Sequence, residues 1–327
     1  MKQHITYFDF LRGVAILMVV AIHTPYVLGD FTTIDGIARI LFRQTLNCAV
    51  PIFLALSGFF LGRKTFDSRN SVLSFWKKQI PKVYIPCIVW SLPLLVFSIL
   101  GGASVWKQVV YLIVCGFSIY YFISLIIQYY LLLPFLQRHL KRNLIISIFS
   151  SVVSISIITF LLSVKGVPLP LILYAGPFVV WFVFYMLGVY YSRKPRNYSL
   201  KVCIAIVLVG LLLEFIETYF LNTQYSGGLG IKLSAFIYSF GIVLLILHPK
   251  VEASFKENTL INFIIYVGKI SFGIYLIHGY MMKVVDKLIT TDIWFFRWIM
   301  VSLVSVVVIA IVRKILPQNV CKYIGFS

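Results

Sequence analysis

Charge is scarce in this chain of 327 residues, and acidic charge is scarcest. Only 12% of the residues are charged, with 10 Asp and Glu against 29 Lys and Arg. A soluble globular domain would carry about a quarter charged residues, so this class is excluded. With 61% hydrophobic residues, the composition predicts an all-α, polytopic integral membrane helical bundle. The net charge of +19 does not predict nucleic-acid binding, because the basic residues fall in short clusters between apolar runs.

Paired cysteines and the common nucleotide and metal motifs are also missing. The five cysteines have neither disulfide nor metal-ligand spacing, so we expect buried core residues and no metal site. The chain contains no P-loop, no dinucleotide fingerprint and no Ser-centred nucleophile elbow. No connection between apolar runs is long enough to fold alone. The sequence therefore predicts one membrane-embedded domain over 1–327, without a separate soluble domain.

Apolar runs of the length that crosses a bilayer as a helix recur along the whole chain. We predict ten transmembrane helices, near 10–28, 44–62, 80–100, 119–137, 144–163, 171–192, 200–220, 232–248, 263–285 and 295–315. Basic clusters follow spans two, four, six and ten, whereas most of the alternate loops are near neutral. By the positive-inside rule, both termini are cytoplasmic. A shorter amphipathic run, 105–115, is predicted to lie along the membrane interface.

The first apolar run carries Asp9, Arg12 and His23, although an ionisable group near the bilayer centre costs about 3 kcal/mol. Arg12 and His23 are eleven residues apart, which places them on nearly the same helix face, about 16 Å apart along the axis. Arg12 then lies at the cytoplasmic end and His23 in the outer part of the membrane. Because imidazole suits proton transfer near neutral pH, His23 is the candidate general base. The alternative is a histidine satisfied by a neighbouring helix or by the interface.

Three further ionisable residues are predicted in the outer layer with His23. Glu214 and Glu217, three apart on span seven, are candidate catalytic carboxylates that orient a histidine or hold a sugar hydroxyl. Glu217, nearer the exit, is the better substrate contact; the alternative for both is an interfacial, solvated position. His278 is a candidate catalytic residue of span nine. Ser271 and Tyr275 lie on its face and are candidate substrate contacts, although helix packing uses such polar stripes too.

A basic rim is predicted at the cytoplasmic mouth. Lys78 and Lys82, four residues apart at the start of span three, share a helix face. Together with Arg12 they would suit phosphate groups. The alternative is plain positive-inside anchoring and, for Arg12, an ion pair with Asp9 one turn earlier.

Three segments resemble the acyltransferase-3 family of integral membrane acyltransferases, which includes the O-acetyltransferases of bacterial surface polysaccharides. FDFLRGVAILMVVAIH at 8–23 is similar to the opening signature of that family, in which an arginine precedes a histidine by eleven residues. VPIFLALSGFFLGRK at 50–64 and SFGIYLIH at 271–278 resemble two later segments in the family's order. The family's third span begins with two arginines before a proline, and Lys78 and Lys82 stand there, keeping the charge without the bidentate fork.

The resemblance implies transfer of an acyl group, commonly acetyl, from cytoplasmic acyl-CoA to a hydroxyl of an extracytoplasmic glycan or lipid-linked sugar. It carries site roles onto Arg12 and His23: Arg12, Lys78 and Lys82 would hold the CoA phosphates, and His23 would deprotonate the acceptor. It also implies a multi-pass protein of the bacterial cytoplasmic (inner) membrane, in contact with lipid. The sequence does not identify the acceptor or the acyl group. It also leaves open whether transfer passes through a covalent intermediate and whether the protein forms a homo-oligomer.

Two other functions stay open. A transporter or polysaccharide exporter could use intramembrane His and Glu side chains as a proton relay. Against it, the sequence has neither an internal repeat nor a matching pair of broken helices. A sensor or scaffold without chemistry would leave the cost of Arg12 and His23 unexplained.

Overall fold

The computed structural model describes residues 2–24, 31–225, 230–289 and 293–326, and within these ranges every regular element is a helix. In the first half of the chain the helices are α1 Lys2–His23, α2 Ile34–Thr45, α3 Ala49–Leu61, α4 Arg69–Leu100, α5 Val105–Ile113, α6 Tyr121–Leu136 and α7 Leu140–Thr159. In the second half they are α8 Leu171–Tyr174, α9 Phe178–Arg193, α10 Leu200–Gln224, α11 Leu233–Ile246, α12 Pro249–Ala253, α13 Thr259–Lys269, α14 Ser271–Leu288, α15 Trp294–Ile315 and α16 Gln318–Tyr323. The predicted all-α class is confirmed.

Membrane-spanning length and apolarity recur through this bundle. Among the described residues, six helical stretches are long and apolar enough to cross a membrane, or up to seven if the bent pair α13 and α14 is one span. The stretches are Thr6–His23, Ile34–Leu61, Arg69–Leu100, Ser118–Leu136, Leu140–Val164 and Trp294–Ile315. The shorter apolar helices α9 and α11 accompany them. The chain is thus a multi-pass membrane protein, while the number ten and the cytoplasmic termini stay predictions.

Span nine, predicted as one helix over 263–285, is two helices. α13 and α14 meet at an angle of 83°. The bend lies at Ile270, whose backbone (φ −104°, ψ 11°) departs from helical geometry. Hydropathy misses this bend because both halves are apolar and only backbone geometry separates them.

Span six is likewise broken, over residues 175–177. α9 begins after Pro177, which cannot continue a helix because it lacks a backbone N–H. Gln128 of α6 compensates for the lost helical hydrogen bonds: its Nε2 donates to the Gly176 carbonyl at 2.8 Å, and its Oε1 accepts from the Phe178 amide at 3.1 Å. Such compensation is required where irregular backbone lies within a membrane protein.

Helix ends elsewhere shift relative to the predicted spans. Span two, expected from residue 44, is preceded by α2, and a short 3-10 turn at Leu46–Cys48 joins α2 to α3. Span three extends to 32 residues as α4, with Pro81, Pro86 and Pro93 inside it. The amphipathic run after it forms the helix α5, and its position along the membrane interface stays a prediction.

Small residues allow the central helices to approach closely at Gly13, Gly58 and Gly268. A Cβ atom at Gly268 would overlap the Asp9 carbonyl oxygen of α1, and one at Gly13 would overlap the Ile264 carbonyl oxygen of α13. At Gly58 the overlap would be with the backbone of α9. These glycines hold α1 against α13 and α3 against α9, and α1 also contacts α3, α14 and α15. This packing fixes the helix that carries Arg12 and His23.

Candidate functional site

A cavity of about 500 Å³ lies along α1. Arg12 and His23 both line it, eleven residues apart on the same helix. Most of the remaining wall is apolar and comes from helices that include α3, α6, α11 and α14. The predicted shared face of Arg12 and His23 therefore borders one continuous space, with a cation towards one end and an imidazole towards the other.

The Arg12 end of the cavity combines an ion pair with an aromatic contact. The guanidinium donates to Asp9 at 2.9 Å, which is the ion pair given above as the alternative to phosphate binding by Arg12. Its carbon also lies 4.9 Å from the centre of the Phe60 ring, a cation–π distance. Arg12 remains partly exposed and still lines the cavity.

Lys78 and Lys82, predicted beside Arg12, do not line this cavity. Both side chains are exposed on α4. Lys78 instead borders a shallow surface depression together with Lys77 and Asn70. The structure does not gather the three predicted cations around one space, and donor binding by the two lysines stays a prediction.

The two predicted histidines come together at the other end. The ring centres of His23 and His278 lie 5.6 Å apart. His278 is fully buried, and its Nδ1 lies 2.7 Å from the Tyr275 carbonyl oxygen. Because a carbonyl only accepts, Nδ1 must donate, which leaves Nε2 of the neutral ring as an acceptor. Within the described part of the chain, this Nε2 is buried without a hydrogen-bond partner.

The polar stripe of α14 borders the cavity as well. Ser271 and Tyr275 are among the lining residues. The Tyr275 hydroxyl donates to the Ile119 carbonyl oxygen, so the phenol is anchored across the cavity wall. The stripe predicted from the spacing of these residues and His278 is therefore real, and contact with substrate stays a prediction for Ser271 and Tyr275.

The two carboxylates of α10 lie behind the cavity wall and have different partners. Glu214 is fully buried and accepts from Asn47 Nδ2 at 2.5 Å and from Lys232 Nζ at 3.3 Å. Glu217 accepts from the Ser234 amide at 2.9 Å and from the Ser234 hydroxyl. Its carboxylate therefore caps the start of α11. Neither carboxylate lines the cavity or has a described hydrogen bond to either histidine. A catalytic role for Glu214 or Glu217 stays a prediction.

The sequence reasoning missed Arg43 and Asn47, which line the cavity with His23. Arg43 falls between the predicted spans 10–28 and 44–62, in what reads as a loop, but the structure places it in the last turn of α2. The missed signal is a polar stripe, since Asp35, Arg39, Arg43 and Asn47 recur every fourth residue, as on one helix face.

The cysteines and the other metal-binding residue types are placed as follows in the described ranges. All five cysteines are buried free thiols, as predicted for core residues. Among the residues that the structure describes, no group of three or more His, Cys, Asp and Glu side chains is placed to hold a metal ion.

The bundle encloses a cavity that has Arg12 at one end and the two histidines, His23 and His278, at the other. The fold and this site define a membrane protein with a polar site inside its helical bundle. The acyltransferase-3 family model, described as an acyltransferase domain, matches residues 5–313. The chain belongs to this family and is a membrane acyltransferase, which confirms the resemblance of its three motifs. No curated protein matches the chain significantly. The same is true of solved structures.

Proposed function

We propose that this protein is an O-acyltransferase of the bacterial cytoplasmic membrane. It moves an acyl group, with acetyl as the first candidate, from cytoplasmic acyl-CoA to a hydroxyl of an extracytoplasmic surface glycan or lipid-linked sugar. The observation that carries the proposal is the cavity lined by both Arg12 and His23. Eleven helical residues span about 16 Å, so the cavity connects a phosphate-binding group at one end with a base about 16 Å away at the other.

The donor enters at the Arg12 end. A guanidinium binds phosphate oxygens through paired N–H groups, and the cation–π contact with Phe60 holds its plane in place. Lys78 and Lys82, exposed on α4, contribute positive charge at the mouth without lining the cavity. The thioester arm then extends between the apolar walls towards His23.

The chemistry takes place at the His23 end. The acceptor hydroxyl oxygen bonds to the thioester carbonyl carbon while the His23 imidazole takes the hydroxyl proton. When the tetrahedral intermediate collapses, the carbon–sulfur bond breaks, and the CoA thiolate takes the proton back from the imidazolium. The products are the acyl ester and CoA, and His23 returns to its neutral form.

His278 supports this step as a positioning residue. Its Nδ1 is committed to the Tyr275 carbonyl, so its Nε2 keeps an acceptor lone pair in a buried position. At 5.6 Å between ring centres, one water molecule can accept from an N–H of His23 and donate to Nε2 of His278, which leaves the other nitrogen of His23 free to act as the base. Such a link would hold the base ring in one orientation.

The proposal is tested by CoA release from acetyl-CoA, using purified protein in lipid with and without a crude surface-glycan extract. Wild type should show release that the extract stimulates. His23→Ala should lower the rate of CoA release by at least about 100-fold, which is the scale of general base catalysis. The variant should still elute as a folded protein in size-exclusion chromatography. Wild type that releases no CoA from any short acyl-CoA, but moves a solute across vesicles without donor, would replace the proposal with a transporter.

A further inference from the structure

A buried polar cluster lies beside the His23 end of the cavity. Arg43 and Asn47 line the cavity, whereas Gln44 and Lys232 are fully buried behind them with Glu214. These side chains come from α2, the turn after it, α10 and the residue before α11. No step of the proposed reaction yet uses them.

The cluster fixes which atom of Asn47 meets Arg43. The Asn47 amide nitrogen donates to Glu214 Oε1 at 2.5 Å and to Gln44 Oε1 at 3.1 Å. Because the nitrogen side is committed to two acceptor oxygens, Oδ1 is the atom left to accept from Arg43 Nη1, at 2.7 Å. The guanidinium is therefore held at the cavity wall by an amide that can adopt only one orientation.

Glu214 and Lys232 hold the rear of the cluster. Lys232 Nζ donates to Gln44 Oε1 at 2.6 Å and to Glu214 Oε1 at 3.3 Å. Both members of this ion pair are almost completely buried. A buried pair is retained at a desolvation cost, which argues for a task beyond stability. Here that task would be to hold the side chain of Asn47, and through it Arg43.

We propose that Arg43 is a catalytic residue that stabilises the oxyanion on the thioester carbonyl, with Asn47 and Glu214 as its positioning residues. The inference rests on the proposed acyl transfer. Arg43 and His23 line the same cavity. Acyl transfer is accelerated by a base and by a fixed donor that stabilises the developing oxyanion.

Arg43 acts at the moment when charge develops. As the hydroxyl oxygen bonds to the carbonyl carbon, the carbonyl electron pair moves onto oxygen, and His23 holds the proton. The guanidinium N–H groups donate to that oxyanion until the carbon–sulfur bond breaks and the carbonyl re-forms. Since the donor is already oriented by Asn47, little reorganisation is needed at this step.

The decisive experiment measures acetyl-CoA hydrolysis by water as well as transfer to glycan, in wild type, Arg43→Gln and Arg39→Gln. Both reactions pass through the same oxyanion, so Arg43→Gln should lower kcat of both by about 100-fold or more and leave the donor KM within about twofold. Arg39 is the matched control. It lies one turn earlier on α2 and pairs with Asp35 at the surface, so its variant should keep wild-type rates.

Asn47 tests the positioning relay. Asn47→Ala should lower kcat by about tenfold, since Arg43 keeps its charge but loses its fixed orientation. The double variant Asn47→Ala with Arg43→Gln should be no slower than Arg43→Gln alone, because both changes act through one group. If the double variant instead loses kcat by the product of the two single losses, Asn47 does not act through Arg43, and its positioning role is overturned.

Each result separates the inference from the proposed function. If wild type neither hydrolyses nor transfers any short acyl-CoA, the proposed function falls and the inference with it. An active wild type beside an equally active Arg43→Gln overturns the inference alone. A third outcome is that Arg43→Gln loses transfer to uronic-acid oligosaccharides only, with hydrolysis and transfer to neutral oligosaccharides unchanged. That result would show that Arg43 binds a carboxylate of the acceptor, and it would overturn the oxyanion role too. Lost thermal stability with wild-type kcat in the folded fraction would show a purely structural role.

Discussion

At the scale of single residues, the two histidines have different surroundings. His23 lines the cavity from the last turn of α1 and is partly exposed to it. His278 is fully buried and tied to the backbone of its own helix. The accessible imidazole is thus the one that can meet a substrate, and the buried one can act only through it.

Substitutions at His278 should separate the roles of its two nitrogens. Asparagine places its amide near the position of Nδ1, and glutamine reaches the position of Nε2. If Nε2 supports His23, we expect His278→Gln to retain more activity than His278→Asn, with the loss in kcat rather than in donor KM. Kinetics of acetyl-CoA turnover in lipid check this. Better function of the asparagine variant would show that only the bond to the Tyr275 carbonyl matters.

At Arg12, the choice of donor gives the sharpest test. Arg12→Gln should raise the KM for acetyl-CoA by at least roughly tenfold, because a charge-assisted hydrogen bond contributes about 1.5–3 kcal/mol. The KM for acetyl-pantetheine, which lacks the nucleotide phosphates, should stay unchanged. Arg63→Gln is the control, since Arg63 also lies over a phenylalanine ring but does not line the cavity. Equal losses with both thioesters would contradict phosphate binding by Arg12.

Sequence spacing made these residues visible, but not all of their partners. Arg12, His23 and His278 stood out because ionisable side chains in apolar spans are costly. Asn47 and Glu214 are 167 positions apart and meet only after α2 packs on α10. Lys232 is the first residue of the predicted span 232–248, where a lysine at the membrane boundary is common. Polar clusters assembled from distant helices leave no periodic signal, so this part of the site required the fold.

At the scale of helices, close packing of α1 on α13 holds Arg12 in place. Gly268 meets the Asp9 carbonyl, and Asp9 is the ion-pair partner of Arg12. A side chain at Gly268 would therefore push apart two backbones and disturb the donor end of the cavity. A glycine in the sequence permits this close approach, but the apolar run over 263–285 does not predict the bend that follows it at Ile270.

We expect Gly268→Ala to destabilise the protein by about 1–3 kcal/mol, the usual cost of overpacking. A thermal unfolding assay in detergent checks this. Gly279→Ala is the matched control in α14, because its nearest neighbour would lie at an ordinary 3.6 Å and alanine favours a helix by about 1 kcal/mol. The control should be neutral or stabilising. A Gly268→Ala protein as stable as the control would contradict the packing account.

At the scale of the whole molecule, the central claim is that one cavity joins a donor end to an acceptor end. The predicted topology places both termini and the Arg12 end in the cytoplasm, because basic clusters follow spans two, four, six and ten. Charge patterning predicts this orientation, whereas the path through the bundle depends on how α1, α3, α6 and α14 enclose space. Only the folded chain reveals that path.

The most direct test is sided transfer in sealed proteoliposomes with oriented protein. Radiolabelled acetyl-CoA is supplied only on the side of the termini, and glycan acceptor only on the opposite side. We predict labelled glycan on the far side, CoA retained on the donor side, and loss of both with His23→Ala. Labelled glycan only when donor and acceptor share one side would contradict transfer through the cavity.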